Sequence, residues 1–486
     1  MKKQKSSLGG DVIQLTFSKV ITLSIAMVIG MLLARFRTVE EYGTYSQLML
    51  VINLFTAIFM MGLPNSINYF LARAENNQER QSFLSVYYSL STLLSIIMGL
   101  VLVVALPLME MYFKNPALRS FLWFLAIYPW ANVISASVEN ILIVYQQTRI
   151  MTVYRLVNSL CLLGAVLVAK YLDWDFIAYM RLYLLIFCLF AVSVYVIVAR
   201  LSGGIRFSLD SSWIRSIFVF SLPIGLAAVV GTLNIEIDKL LIGWLMDTES
   251  MAIYTNASRE LPVTIVASSI TAVLLPKLTK MLKADDTQGA IRLWGYATEL
   301  SLIIIALIAA GVFTYAEDVL TLLYSEKYLP GLSVFRIYTL VLLLRCTYFG
   351  MILNAKGKTK DIFYSSIASL VLNTILNPLF YFIFGIIGPA IATFLAIIII
   401  QAVQLKLTSN CLRISFHTVF PWKRLAQILF INVLFSICFG WLKQLLPFDY
   451  ILSSFGESLL LGAGWSVLYV FMLRKRILYV WSELNQ

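Results

Sequence analysis

Apolar runs long enough to cross a membrane recur along this chain from one end to the other, and nothing else in it limits the fold as much. About 20 apolar residues in helical form span the ~30 Å of hydrocarbon in a bilayer. Such runs fall near residues 12–34, 44–71, 82–107, 118–145, 150–169 and 176–199. A second group lies near 214–246, 250–276, 290–316, 330–354 and 361–383, and three more near 386–405, 422–446 and 451–473. A water-soluble core cannot hide so many. In hydrocarbon every backbone N–H and C=O needs a partner inside the protein, and a single run supplies them all only as α-helix. The expected fold is therefore an all-α integral membrane protein of about 14 spans. A content of 60% hydrophobic and 13% charged residues agrees with it.

The connectors are short polar turns. The longest, around 200–213 and 406–421, hold only surface helices or loops, which leaves no soluble domain of any size. The first apolar run, about Val12 to Ala34, is too long for a signal-peptide core and no small-residue cleavage site follows it, so it reads as a retained span.

A net charge of +12 invites a nucleic-acid reading, but such binders gather Lys and Arg into a stripe or tail. Here they sit in small groups between spans, which is how a multispanning protein records its orientation. With the N-terminus and its basic start (Met1 to Lys5) in the cytoplasm, 24 loop Lys and Arg fall on the cytoplasmic side and 8 opposite. Both termini are expected in the cytoplasm. The five cysteines show no paired or metal-ligand spacing, and four lie in apolar runs as packing residues. The single histidine, His417, lies in a polar stretch between spans and reads as solvated surface. No metal or cofactor is called for, and a coupling Na+ or H+ is left open.

Two halves of the chain resemble each other. TVEEYGTYSQ (Thr38 to Gln47) aligns without gaps to DTESMAIYTN (Asp247 to Asn256), and QQTR (Gln146 to Arg149) aligns to GKTK (Gly357 to Lys360). The offsets, 209 and 211 residues, report one register. Six spans intervene, so both halves enter the membrane in the same sense, as in parallel-repeat transporters. The expected organisation is an N-terminal lobe over 1–200, a second lobe over 201–410, and two additional spans within 411–486. Two such lobes enclose a cleft, and rocking them gives alternating access.

Ten of the charged residues inside the expected spans are singled out: Lys19, Lys239, Arg259, Arg336 and Arg345 against Glu139, Glu236, Asp238, Glu260 and Glu299. Each costs at least ~2.5–3.5 kcal/mol at mid-bilayer unless it is paired or wet, so all should face the protein interior. At 1.5 Å per residue, Asp238 lies roughly 12 Å inside the outer end of the seventh span and Arg259 roughly 14 Å inside that of the eighth. A short turn joins the two spans, so these residues are placed to meet at one level, with Glu260 close by. Lys19, Arg259, Asp238, Glu260 and Arg345 are the candidate cavity residues. Glu236 and Lys239, three apart on one helical face, are candidates for a local ion pair. Glu139, Glu299 and Arg336 stand with them as cavity or structural residues. Pro64, Pro129, Pro262 and Pro378, in or beside spans, mark candidate kinks.

LLARFRTVEEYGTYSQ after the first span, GLPNSINYFLAR closing the second, and NIEIDKLLIGWLMDTESMAIYTNASRELP across the seventh and eighth resemble Wzx-type polysaccharide flippases. These belong to the multidrug/oligosaccharidyl-lipid/polysaccharide exporter superfamily, and the resemblance covers the whole chain. It implies a MATE-like architecture and a transporter, not an enzyme, in a bacterial inner membrane. Its implied cargo is an undecaprenyl-diphosphate-linked oligosaccharide, and its implied partners are the bilayer and other polysaccharide-assembly proteins. Basic residues on the first and eighth spans line the cavity in such proteins, which raises Lys19 and Arg259. Within the superfamily the alternatives are a drug/cation antiporter or a peptidoglycan lipid-precursor flippase. A glycan polymerase, ligase or acyltransferase would carry catalytic groups in a sizeable outer loop, and the outer loops here are short.

Overall fold

A computed structural model describes residues 8–445 and 453–485. The basic start Met1 to Lys5 lies outside the described residues, as do residues 446 and 451–452 at the facing ends of the last two expected spans. Among the described residues the chain is helical, with no strand. It divides into two compact units, Met1–Ala252 and Ile253–Gln486.

The first unit contains α1 (Leu8–Phe36), α2 (Val39–Met60), the short α3 (Leu63–Ser66) with a π-helical turn after it, α4 (Asn77–Phe113), α5 (Leu122–Val144), α6 (Thr148–Tyr171), α7 (Phe176–Ser202) and α8 (Ser211–Leu245). The unit boundary falls within α9 (Thr248–Ala257). The second unit continues with α10 (Ile265–Lys283), α11 (Thr287–Thr314), α12 (Ala316–Tyr324), α13 (Leu332–Leu344), α14 (Met351–Ala355), α15 (Thr359–Phe384), α16 (Gly388–Leu412), α17 (Phe416–Val419), α18 (Trp422–Leu445) and α19 (Ser454–Asn485).

Among the described residues, thirteen helical stretches are long and apolar enough to cross a membrane. One of them, Thr359–Leu412, is the pair α15 and α16, so the helical segments able to cross number fourteen, the number of spans expected from the sequence. The chain reverses between these two helices at Gly385, whose φ of 63° is left-handed. The backbones then close so tightly that a Cβ on Gly388 would lie 2.1 Å from the Phe380 carbonyl oxygen. Only glycine meets both conditions at no cost.

Each unit has one helix that its neighbours enclose more than any other among the described residues. In the first it is α5, which packs on α4 and α7; in the second it is α11, which packs on α10, α13, α18 and α19. Their buried faces supply the cores: Ile134, Val138 and Ile141 in the first, Leu302, Ile305 and Ala306 in the second.

Three expected spans are not continuous helices. The second breaks at Met61 and Gly62, whose φ values of 36° and 75° are left-handed. This break packs on α8, where a Cβ on Gly225 would lie 2.2 Å from the Met61 carbonyl. The eighth breaks between α9 and α10, and the tenth between α13 and α14.

The sequence repeat has a structural meaning. Thr38 and Asp247 are both N-caps: the Thr38 hydroxyl accepts the Glu41 N–H at 3.1 Å, and the Asp247 carboxylate accepts the Ser250 N–H at 2.8 Å. Glu41 also reaches back to the Thr38 N–H, which completes a capping box. In the second match, Gln146 and Gly357 share a left-handed turn, with φ of 55° and 72°. There Gln147 N–H bonds Leu142 O and Lys358 N–H bonds Leu353 O, both at 2.8 Å. Helix starts keep the same register between these anchors, from Asn77 to Thr287 (210 residues) and from Leu122 to Leu332 (210 residues).

Candidate functional site

The break in the eighth span is written into the local sequence. The ring of Pro262 disfavours the helical conformation for the residue before it, and Leu261 is extended, with φ −69° and ψ 147°. The α9 helix therefore ends at Ala257, and Arg259 and Glu260 lie on non-helical chain. No proline accounts for the break in the tenth span at residues 345–350. Neighbouring helices hold it open instead. Gln401 of α16 donates its amide to the freed Leu344 carbonyl at 2.7 Å, and the Trp294 indole of α11 donates to the Thr347 hydroxyl at 2.9 Å. A buried carbonyl released from a membrane helix needs such a partner.

The two breaks are tied together. Arg345 donates from Nε and Nη2 to one Glu260 oxygen at 3.2 and 2.8 Å. Their side chains remain 40% and 33% exposed, so the pair is within reach of water or a ligand. Arg259 lies beside the Tyr324 hydroxyl of α12. The expectation that Arg259, Glu260 and Arg345 stand on spanning helices is corrected: all three stand where a span is unwound.

The remaining candidates divide by partner. Glu236 and Lys239 form the expected local pair at 2.7 Å on α8. Asp238, on the same helix, is buried at 2% exposure, and its carboxylate accepts the Lys239 N–H. Lys19 on α1 is exposed, and its amine has no ion-pair partner among the described residues. Arg336 on α13 is half-buried, 6.0 Å from the Phe313 ring.

Glu139 and Glu299 are each held by an arginine that reads in the sequence as a loop residue. Arg155 of α6 grips Glu139 through two bonds of 2.5 Å, and Arg476 of α19 grips Glu299 through two of 2.6 Å. Both count among the 24 loop charges of the cytoplasmic side in the sequence reading, and that is corrected: Arg155 and Arg476 stand on helices. A signal for the first was present, because Glu139 and Arg155 flank one short turn at similar depth on antiparallel helices.

Among the described residues no cluster of His, Cys, Asp or Glu has the geometry to hold a metal ion, and all five cysteines are free thiols.

Comparison with known proteins assigns this architecture. In fold, the chain is similar to a solved lipid II flippase, MurJ, in an inward closed conformation. The TM-score is 0.75 at 17% identity, over 96% of this chain and 100% of the other. An inward-facing multidrug resistance MATE transporter of the MOP superfamily gives a TM-score of 0.61 at 15% identity, over 83% and 99%. The probable low-salt glycan biosynthesis flippase Agl15 of Haloferax volcanii is 20% identical over 226 residues, 46% of this chain. That match spans about half (48%) of the relative's own length. Residues 32–333, more than half of the chain, match the family described as polysaccharide biosynthesis protein, and the chain belongs to that family of multispanning membrane proteins.

Proposed function

We propose that this protein moves an undecaprenyl-diphosphate-linked oligosaccharide from the cytoplasmic to the outer leaflet of a bacterial inner membrane. The lobes 1–200 and 201–410 alternate access to a central cleft, residues 411–486 add two spans, and both termini are cytoplasmic. One observation carries the reading: the salt bridge of Glu260 to Arg345, which joins two unwound span segments. Unwound, polar backbone at membrane depth is tolerated only where it lines a cavity or is covered by protein. Membership of a polysaccharide biosynthesis family and the likeness to a glycan flippase support a lipid-linked glycan as the cargo. The two arginines on the unwound segments, Arg259 and Arg345, favour an anionic head group. Lys19, Arg259 and Arg345 are the residues assigned to it, and Asp238 and Glu260 are assigned to the same pathway. A coupling cation and contacts with other polysaccharide-assembly proteins belong to the same reading.

A second reading, a flippase of a peptidoglycan lipid precursor, is favoured by the fold likeness to a lipid II flippase over nearly the whole chain. Deletion followed by analysis of lipid-linked intermediates separates the two. Loss of the proposed activity accumulates completed undecaprenyl-linked oligosaccharide on the cytoplasmic leaflet. Accumulation of peptidoglycan precursor instead favours the second reading. Oligosaccharide delivered outside but left unpolymerised refutes both.

A further inference from the structure

The second unit contains a cleft of about 320 Å³ between α11, α18 and α19, away from the residues assigned above to the transport pathway. Its polar end is made by Arg424, Gln427, Glu299 and Arg476, and its walls include Phe430 and Leu473. Arg476 is fixed in place. Its Nε and Nη2 grip Glu299, and the rings of Tyr296 and Tyr479 lie 5.9 and 5.0 Å from its guanidinium carbon. Among the described residues no acceptor takes the donors of Arg476 Nη1. Among the described residues Arg424 gives one side-chain bond, from Nη1 to Gln427 at 3.1 Å, and keeps the rest of its fork.

The electrostatics of this end call for an anion. Lys423 and Arg424 sit in the first turn of α18, where the helix dipole already places partial positive charge, and no acidic residue shares that turn. Arg474 and Lys475 precede Arg476 on α19. Glu299 cancels one of the two arginines in the cleft, so the cleft carries one net positive charge. Below the polar end the lining turns apolar, and Phe430, 63% exposed, continues onto the outward faces of α18 and α19 through Val433 and Phe471. A soluble anion has no use for such a wall, whereas an acyl chain does.

We infer that this cleft binds one glycerophospholipid with a monoanionic phosphodiester head group, its phosphate held by Arg424 and Arg476 and its chains lying along α18. Juxtamembrane basic clusters attract anionic lipid in this way, and guanidinium forks suit phosphate oxygens. The inference does not depend on which cargo the protein carries.

The test uses the purified full-length protein in detergent micelles, with thermal melting and native mass spectrometry as readouts. Added lipid is dioleoyl-phosphatidylglycerol or dioleoyl-phosphatidylcholine at equal mole fraction, and a third arm adds inorganic phosphate. Phosphatidylglycerol should raise the melting temperature above the phosphatidylcholine arm and stay bound as one molecule, while phosphate has no effect. Arg424→Gln removes an exposed side chain and leaves no buried charge unpaired, so the variant folds. It should weaken phosphatidylglycerol retention about tenfold. Phe430→Ser should weaken it as well. Equal effects of the two lipids, unchanged retention in Arg424→Gln, or an effect of phosphate matching that of phosphatidylglycerol would each overturn the assignment.

Discussion

Glu260 and Arg345 meet at 2.8 Å although neither residue stands on a helix. Each lies where a membrane span is interrupted, so a single ion pair links the break in the eighth span to the break in the tenth. A partly exposed pair contributes little to stability, about 0–1 kcal/mol, and in the proposed function its role is in transport. Arg345→Gln and Glu260→Gln should leave the melting temperature of the purified protein nearly unchanged. Complementation of a deletion strain should fall by about tenfold or more, the scale of one lost charge-assisted contact. The exchange Glu260→Arg with Arg345→Glu should recover part of it. Full complementation by both single variants would remove the pair from the pathway.

Glu299 and Arg476 differ from that pair in burial, because the Glu299 side chain is only 3% exposed. Removing the arginine strands a buried carboxylate, at a cost of about 3–5 kcal/mol. Arg476→Gln is expected to lower the melting temperature sharply. Replacing both partners, Glu299→Leu with Arg476→Leu, should be much milder. A double variant as unstable as the single one would show that the pair itself supplies the stability.

Gly225 and Gly231 make a matched comparison on α8. A Cβ at Gly225 would stand 2.2 Å from the Met61 carbonyl carbon and oxygen, while at Gly231 no atom lies within 4 Å. Backbone cannot give way as a side-chain tip does, so Gly225→Ala should cost about 1–3 kcal/mol. Gly231→Ala should gain about 0.5–1 kcal/mol from helix propensity. Melting of the two variants side by side checks both signs.

Asp318, outside the spanning segments, supplies a dependence on pH. Burial by itself would raise its pKa. The Lys443 ammonium and the Ser454 and Ser458 hydroxyls outweigh that effect and hold it below its ordinary 3.8. A depressed carboxylate adds stability that is fully present above its unfolded pKa and is lost as pH falls toward the folded one. The melting temperature should therefore drop as pH is taken below about 4. Asp318→Asn should be less stable at neutral pH and show a flatter acid limb. An acid limb as steep as that of the parent protein would place the dependence elsewhere.

Several features could be read before any tertiary contact was known. The fourteen crossings are legible because hydropathy adds up locally and because a lone span in hydrocarbon has no alternative to a helix. The repeat was legible for a related reason. Thr38 and Asp247 cap the helices they precede, and Gln146 and Gly357 turn left-handed at the ends of theirs, so residue choice there reflects nearest-neighbour geometry. The break at Arg259 and Glu260 was half-legible through Pro262, which reads as a kink but does not say how much chain it unwinds.

The sequence by itself thus determined the helical class, the number of crossings and the register of the two halves, each set by interactions within a few residues. The tertiary structure decided the rest. It opened the span at residues 345–350 through Gln401 and Trp294, brought Arg345 to Glu260, and gave Glu139 and Glu299 to Arg155 and Arg476. Ion-pair partners depend on distances between helices, and residues as far apart as Glu299 and Arg476 leave no trace of that distance in their order along the chain.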